Sequence, residues 1–237
     1  MIYFLLYNAG LELLDVLPEK MLLHSAIKND LKKRNKKPSN SIIDLAVHQS
    51  AFYSNDQDNR GRPDIVHHCL LQFLFSSLVH PKFDNDKNFN VQLFIHTISN
   101  AYFEVPPTWR VPSHYFRFRG LMEVLLSKKQ LKVSATENIL LQFGNVPQII
   151  DKLGIQKIIL FTSHGKESEY LKLKDNLKNY FKSTEKILFL IGAYQHGETA
   201  KIISSLDKTK ITNITFPGGR LPAWKVLSTI ISILELS

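Results

Sequence analysis

The apolar residues from Val66 onward fall at helical spacing. Val66, Cys69, Leu70, Phe73 and Leu74 stand at i, i+3, i+4, i+7 and i+8, which predicts one core-facing stripe of a helix ending near Val79. Pro63 suits the first turn of that helix, where a missing N–H costs nothing, and Asp64 just inside it is favoured by the helix dipole. Upstream, the apolar run from Ile2 to Tyr7 predicts a first β-strand. A helical segment follows from about Pro18 to Lys37, broken by Pro38, Ser39 and Asn40, and a second amphipathic segment runs from Ser41 to Tyr53 before a polar linker from Ser54 to Asn59. Downstream, Val91 to Thr97 and Ala101 to Val105 read as two strands around a turn at Ser99 and Asn100. Pro106, Pro107 and Pro112 force extended or turn backbone, so Thr108 to Ser113 is expected to be an exposed loop leading into a helix from Tyr115 to about Gln130.

From Val146 the pattern changes to short apolar strands alternating with helices. Helix is predicted for Val146 to Leu153, Lys166 to Lys182, near Thr199 to Leu206, and from about Leu221 to Leu236. The strands between them are Lys157 to Phe161, Lys186 to Ile191 and Ile211 to Phe216. The alternation argues for a mostly parallel α/β sheet in one continuous domain, 1–237, with the region 38–130 elaborating one side. No internal repeat or low-complexity tract is evident.

Composition narrows this picture. The 237 residues carry a formal charge of +9, which suggests a polyanionic partner, with nucleic acid the default. The single cysteine, Cys69, excludes an intrachain disulfide framework and a cysteine zinc site and points to a reducing compartment. The apolar N-terminus is too short to span a membrane and lacks a basic leader region, and no other segment approaches a membrane-spanning length, so no membrane association is expected.

Candidate chemistry sits in two places. Of seven arginines, five fall at Arg60, Arg62, Arg110, Arg117 and Arg119, interleaved with Trp109, His114, Tyr115, Phe116 and Phe118. Arginine holds phosphate with a planar fork and stacks on bases, so this clustering suits single-stranded or looped RNA. The competing reading is a capped helix with solvated arginines and core phenylalanines. In the C-terminal half, three strands end in small-residue loops: Thr162-Ser163-His164-Gly165, Gly192-Ala193-Tyr194-Gln195-His196-Gly197 and Phe216-Pro217-Gly218-Gly219. Ligands of open α/β sheets lie beyond such strand ends, so these loops form a plausible nucleoside pocket, although no dinucleotide or phosphate-loop fingerprint is present. The basic run at Lys28, Lys32, Lys33, Arg34, Lys36 and Lys37 is either a solvated helix end or a phosphate-tracking edge. Asp44 and His48, four residues apart, lack a third ligand for a metal. No nucleophile constellation stands out, since Ser163 beside His164 cannot form a triad.

Taken together, Arg60-Gly-Arg-Pro-Asp-Ile-Val-His67, Arg110-Val-Pro-Ser-His-Tyr-Phe-Arg-Phe-Arg-Gly-Leu-Met122, Ile191-Gly-Ala-Tyr-Gln-His-Gly197 and Leu221-Pro-Ala-Trp224 resemble, in order and spacing, a known family. It is that of the pseudouridine-N1-specific small-subunit rRNA methyltransferases of ribosome biogenesis, S-adenosylmethionine enzymes of the SPOUT class. The resemblance implies a homodimer and a cofactor-binding part from about 155 to 237 tied in a trefoil knot, an exception to the usual absence of knots. It also implies residence in the cytoplasm, or in the nucleolus of a eukaryote, and contact with ribosomal proteins during assembly. S-adenosylmethionine would be held mainly by backbone groups at Thr162, Ser163, Gly192, Gly197, Ile214, Thr215, Phe216, Pro217, Gly218 and Gly219.

The same resemblance assigns Arg62, Arg110 and Arg117 to the rRNA within the 38–130 elaboration, with Arg60 also expected to bind RNA, and puts Asp64 within reach of the Arg62 guanidinium. Asp64 and Arg62 are the expected catalytic pair. Asp64 either orients Arg62 or acts as general base for the N1 proton of a flipped pseudouridine. Ser113 stands where the family usually has a third RNA-contacting arginine, and Arg119 is an additional one, expected to compensate in part. The loop at Pro217-Gly218-Gly219 also departs from the family pattern. A catalytically idle rRNA-binding assembly factor is the alternative reading.

Overall fold

The computed structural model describes residues 1–52, 60–79, 90–166, 172, 184–195, 200–216 and 221–235. Its centre is a seven-stranded sheet in the order β6-β3-β2-β1-β8-β7-β9. The strands are β1 (Ile2–Ala9), β2 (Val91–Thr97), β3 (Ala101–Val105), β6 (Gln142–Phe143), β7 (Lys157–Lys166), β8 (Ile187–Gly192) and β9 (Ile211–Ile214), while β4 (Gln130–Lys132) and β5 (Asn138–Leu140) form a separate hairpin. β1 pairs in parallel with β2 and β8, and β7 pairs in parallel with β8 and β9. Only β3, next to one edge, runs against the others, pairing antiparallel with β2 and with β6. The mostly parallel α/β sheet expected from the strand and helix alternation is therefore present.

The helices are α1 (Glu19–Leu22), α2 (Ser25–Arg34), α3 (Leu45–His48), α4 (Pro63–Leu74), α5 (Tyr115–Lys128), α6 (Val146–Leu153), α7 (Ala200–Ser205) and α8 (Ala223–Glu235). Both faces of the sheet are covered. Ile2, Phe4 and Leu6 of β1 join Phe189 and Ile191 of β8 in a core with α4, α5 and α8, whereas Tyr3, Leu5 and Tyr7 pack with α6 on the other side. Burial on both faces is why β1 and β8 read as unbroken apolar runs instead of alternating ones. A smaller cluster of Leu14, Leu17, Ile27, Ile43, Leu45, Ala51 and Phe52 closes the N-terminal elaboration.

Several expected elements differ. The helix expected over Pro18 to Lys37 is two helices, because His24 leaves helical geometry and its ring accepts the Ala26 N–H as a cap. The segment from Ser41 to Tyr53 begins extended, with Ile42 bridged to Leu13, and only Leu45–His48 is α-helical. α4 ends at Leu74, five residues early, and β7 runs on to Lys166. The helix expected from Lys166 to Lys182 lies largely outside the described residues, as do Gly197, Pro217, Gly218 and Gly219, on which the expected knot and cofactor contacts partly rest. No helix among the described residues is long and apolar enough to cross a membrane.

Candidate active site and RNA interface

The parallel strands direct their carboxyl ends to one edge of the sheet, and the site is assembled there. α4 starts at that edge and is fixed by its apolar face, on which Val66, Cys69 and Leu70 are fully buried. Gly61 prepares the start. Its φ of +60° suits glycine, and a β-carbon there would stand 2.9 Å from both Ile43 and Leu45. Pro63 then opens the helix at Arg62.

Arg62 and Asp64 form a two-bond fork. Arg62 Nε donates to Asp64 Oδ1 at 2.8 Å and Nη2 donates to Oδ2 at 2.7 Å. These bonds hold the guanidinium pKa above its ordinary value, against a smaller opposing effect of burial. The side chains are 26% and 34% exposed, so the pair contributes little to stability and fixes the direction of the guanidinium. Arg62 Nη1 makes a third bond, to Gln195 Oε1 at 2.5 Å, on the loop after β8. The helix start and the second glycine-containing loop are thus one site.

That loop turns back on itself. Ala193 N–H donates to the Tyr7 carbonyl at 2.9 Å, the Tyr7 and Tyr194 hydroxyls are 3.0 Å apart, and a β-carbon at Gly192 would lie 2.7 Å from the Tyr194 ring. The first and third loops also meet, since Thr215 Oγ1 donates to the Thr162 carbonyl at 2.8 Å and the Phe216 ring stacks on Phe161 at 5.4 Å. Thr162, Gly192, Ala193, Tyr194, Ile214, Thr215 and Phe216 carry no charged side chain. A donor set of backbone and uncharged groups at strand ends fits a nucleoside cofactor held by its peptide groups. Of the expected cofactor residues, Thr162, Gly192, Ile214, Thr215 and Phe216 are brought to this edge; of Ser163 only the strand backbone is described.

The second arginine stretch is tied to the same helix. His67 is buried and its Nε2 lies 2.8 Å from the Pro112 carbonyl, so that nitrogen carries the proton and donates. Burial holds the His67 pKa below its ordinary value. The ring also stacks on Phe118 at 4.6 Å. Arg110, Ser113, His114, Phe116 and Arg117 are consequently displayed on an exposed rim, with Phe116 64% exposed.

One expected RNA contact needs correction. Arg119 is 2% exposed. Its Nη2 donates to Asp30 at 2.9 Å, with Asp44 and Glu123 at 3.6 and 3.8 Å. Held inside by three carboxylates, it cannot replace an arginine missing at 113. Arg60 gives Nε and Nη2 to the buried Glu12 at 2.8 and 3.1 Å, tying the start of the motif to the loop after β1, and its side chain stays 25% exposed, much like that of Arg62. The mixed arrangement extends to the aromatics, since Phe118 and Trp109 are core and Phe116 is not. Part of the basic run is likewise internal, because Arg34 and Lys36 both bind the Glu123 carboxylate.

Sequence reasoning did not find Gln195, Glu12, Asp30, Glu123 or the positioning role of His67. His48, paired with Asp44 by spacing, accepts the Asp44 N–H at Nδ1, and its Nε2 lies 3.3 Å from Asp30. Local signals existed for His67, inside the 60–67 motif, for Gln195, inside the 191–197 motif, and for Glu123, four residues after Arg119 on one helix face.

The chain resembles characterised proteins over nearly its whole length. The ribosomal RNA small subunit methyltransferase Nep1 of Saccharolobus solfataricus is 33% identical over 233 residues, covering 96% of this chain and 94% of that protein. The protein of the same name from Methanothrix thermoacetophila is 31% identical, covering 98% and 94%. The crystal structure of Archaeoglobus fulgidus Nep1 bound to S-adenosylhomocysteine superposes with a TM-score of 0.78 at 26% identity, covering 99% of this chain and 97% of that one. The family model described as EMG1/NEP1 methyltransferase matches residues 4–235, and the chain belongs to that family.

Proposed function

We propose that this protein methylates N1 of a pseudouridine in small-subunit rRNA, using S-adenosylmethionine, during assembly of the small ribosomal subunit. The observation that carries the reading is the bond from Arg62 to Gln195, which joins an arginine expected at the RNA to a loop expected at the cofactor. Membership of the EMG1/NEP1 family, the names of the relatives and the S-adenosylhomocysteine bound to the Archaeoglobus protein support it.

The cofactor supplies an electrophilic methyl group on a sulfonium. The residues to hold it are Thr162, Gly192, Ile214, Thr215 and Phe216, with Ser163, Gly197, Pro217, Gly218 and Gly219 completing the loops. Pseudouridine is joined to ribose through carbon, so its N1 bears a hydrogen; N1 of uridine is already glycosylated and has none to replace. The task left to the protein is to hold a flipped base with N1 in line and let the proton leave. Arg62 is suited to hold it. Asp64 fixes two of its three nitrogens, and the donors that remain on Nη1 and Nη2 can take a phosphate or a base carbonyl. Both Asp64 oxygens accept from Arg62, which favours an orienting role for Asp64 over that of general base. Arg110, Arg117 and the region around Ser113 would contact the RNA on either side.

We further propose that the part from about 155 to 237 is the knotted cofactor-binding unit, that the enzyme acts as a homodimer in the cytoplasm or nucleolus, and that it meets ribosomal proteins during assembly. Methyl transfer to a short small-subunit rRNA hairpin, carrying either pseudouridine or uridine at the target, tests the central reading. Transfer to the pseudouridine hairpin alone is expected. Equal transfer to both would overturn the N1 assignment, and cofactor binding without transfer would favour an assembly factor.

A further inference from the structure

We infer that Gln195 is a positioning residue through which the cofactor loop and the RNA-binding helix respond to each other's occupancy. The inference rests on the proposed methyltransferase function and adds a coupling between its two ligands.

Arg62 stands on a helix whose buried face fixes its backbone, and Asp64 fixes the edge of the guanidinium formed by Nε and Nη2. The remaining nitrogen, Nη1, is held by a residue 133 positions away, Gln195, whose Oε1 accepts at 2.5 Å. The loop that carries Gln195 is anchored at its beginning. Ala193 N–H is bound to the Tyr7 carbonyl, and Tyr194 packs edge-on against Tyr7 with ring centroids 5.6 Å apart. Gln195 is exposed and is the next side chain after these anchors. Its amide bonds an ionised donor, an interaction stronger than one between neutral partners and directional enough to transmit position.

Consider what each ligand would do. A nucleoside seated on the backbone around Gly192 restrains the loop three residues before Gln195. The acceptor for Arg62 is then held in place, and less freedom is lost when RNA docks on the remaining guanidinium donors. RNA bound on Arg62 restrains the same loop from the other side. Linkage makes the two effects equal, so cofactor must tighten RNA by the factor by which RNA tightens cofactor. Asp64 alone cannot provide this coupling, since it lies on the same helix as Arg62 and contacts no part of the cofactor loop among the described residues.

The test titrates S-adenosylhomocysteine into the full-length protein by calorimetry, without and with a saturating pseudouridine-containing rRNA hairpin that supports methyl transfer. The wild-type protein is expected to bind the cofactor product roughly five- to tenfold more tightly with RNA present, at the low end of typical couplings. Gln195→Ala should bring that ratio to about one while changing each separate Kd less than about threefold. Gln195→Glu, which keeps an acceptor for Nη1, should retain the ratio. A wild-type ratio of one, an unchanged ratio in Gln195→Ala, or equal loss in both variants would overturn the inference while leaving the methyltransferase function intact. Failure of the wild-type protein to bind S-adenosylhomocysteine at all would overturn both.

Discussion

Arg62 and Arg119 are both arginines clasped by carboxylates near the start of a helix, yet they do opposite things. Arg62 is 26% exposed, has one carboxylate partner and keeps donors for a ligand. The Arg119 side chain is 3% exposed and faces Asp30, Asp44 and Glu123. Around Arg119 three carboxylates are matched by the cations of Arg34, Lys36 and Arg119 itself, with Tyr115 donating to Asp44. A balanced and enclosed charge cluster is a structural joint between α2, α3 and α5. An exposed pair with spare donors is a place for something to bind. The difference lies in which donors remain accessible to a ligand after the protein's own contacts are counted, not in the residue type.

The sharpest way to break the comparison is to unbalance the buried cluster. Glu123 is 1% exposed and accepts from Arg34, Lys36, Ser41 and the Ile42 N–H. Removing one member of a buried ion cluster costs about 3–5 kcal/mol. Glu123→Gln is therefore expected to lower Tm by about 10 °C, at roughly 2–4 °C per kcal/mol for a chain of this size. Thermal unfolding checks it, and a change under about 1 kcal/mol would mean that the cluster is not a structural joint.

The exposed pair should show the reverse. Arg62→Ala is expected to reduce kcat/KM by about 100-fold, or about 2.7 kcal/mol of transition-state stabilisation, with Tm nearly unchanged because exposed pairs contribute at most about 1 kcal/mol. Asp64→Asn should weaken RNA binding and leave cofactor affinity and the pH–rate profile as in the wild type if Asp64 only orients Arg62. Loss of the acid-side limb of rate against pH, where a general base becomes protonated, would instead assign it the role of base.

Acid should separate the two regions as well. Burial lowers the His48 pKa from 6.5, against a partial opposing pull from Asp30. Burial pushes the Asp30 and Glu123 carboxyls up, but Arg119 and Arg34 for the first, and Arg34 and Lys36 for the second, outweigh it and hold both below their ordinary values of 3.8 and 4.5. A depressed pKa gives stability that is full above the unfolded value and is lost as pH falls through the folded one. Tm should therefore be flat above about pH 7, begin to fall below 6.5 through His48 and the likewise buried His67 and His96, and fall further below about 4.5 through the carboxylates. Each histidine can add at most about 1.4 kcal/mol per pH unit to the first phase. His48→Gln should remove its own share of that phase and leave the carboxylate phase, and an unchanged slope between pH 6.5 and 5 would count against it.

How far these roles could be read from sequence depends on how local their causes are. β1, β8 and the β2–β3 hairpin were legible because their apolar runs and the Ser99-Asn100 turn are continuous in sequence. The motif at 60–67 gave the helix start for the same reason, and the family resemblance put Asp64 beside Arg62. Arg119 was misjudged although a signal existed. Two residues along a helix turn it about 200°, so Arg117 and Arg119 face opposite ways, and Arg119 shares its side with the buried Met122 and Glu123. The pairings of Arg60 with Glu12 and of Arg62 with Gln195 had no such signal, being 48 and 133 residues apart. They exist only once the sheet has brought β1, α4 and β8 together.

The smallest expected effect is also the one that places the boundary of the binding region. If the rim at 110–117 tracks the RNA backbone, each arginine there neutralises about one phosphate, and binding should weaken with salt in proportion to the number of contacts. Ser113 is exposed on that rim between Arg110 and Arg117, behind the Pro112 carbonyl that His67 holds, so a longer side chain there has room and a fixed backbone. Since Arg119 is enclosed and cannot supply the missing charge, Ser113→Arg should add a contact instead of duplicating one. The expected result is RNA binding about threefold to tenfold tighter at low salt, with a slope of log affinity against log salt steeper by about 0.7–0.9. Tm should not move. Tighter binding with an unchanged slope would mean a contact to a base or sugar, and no change in either would remove position 113 from the interface and confine it to Arg62, Arg110 and Arg117.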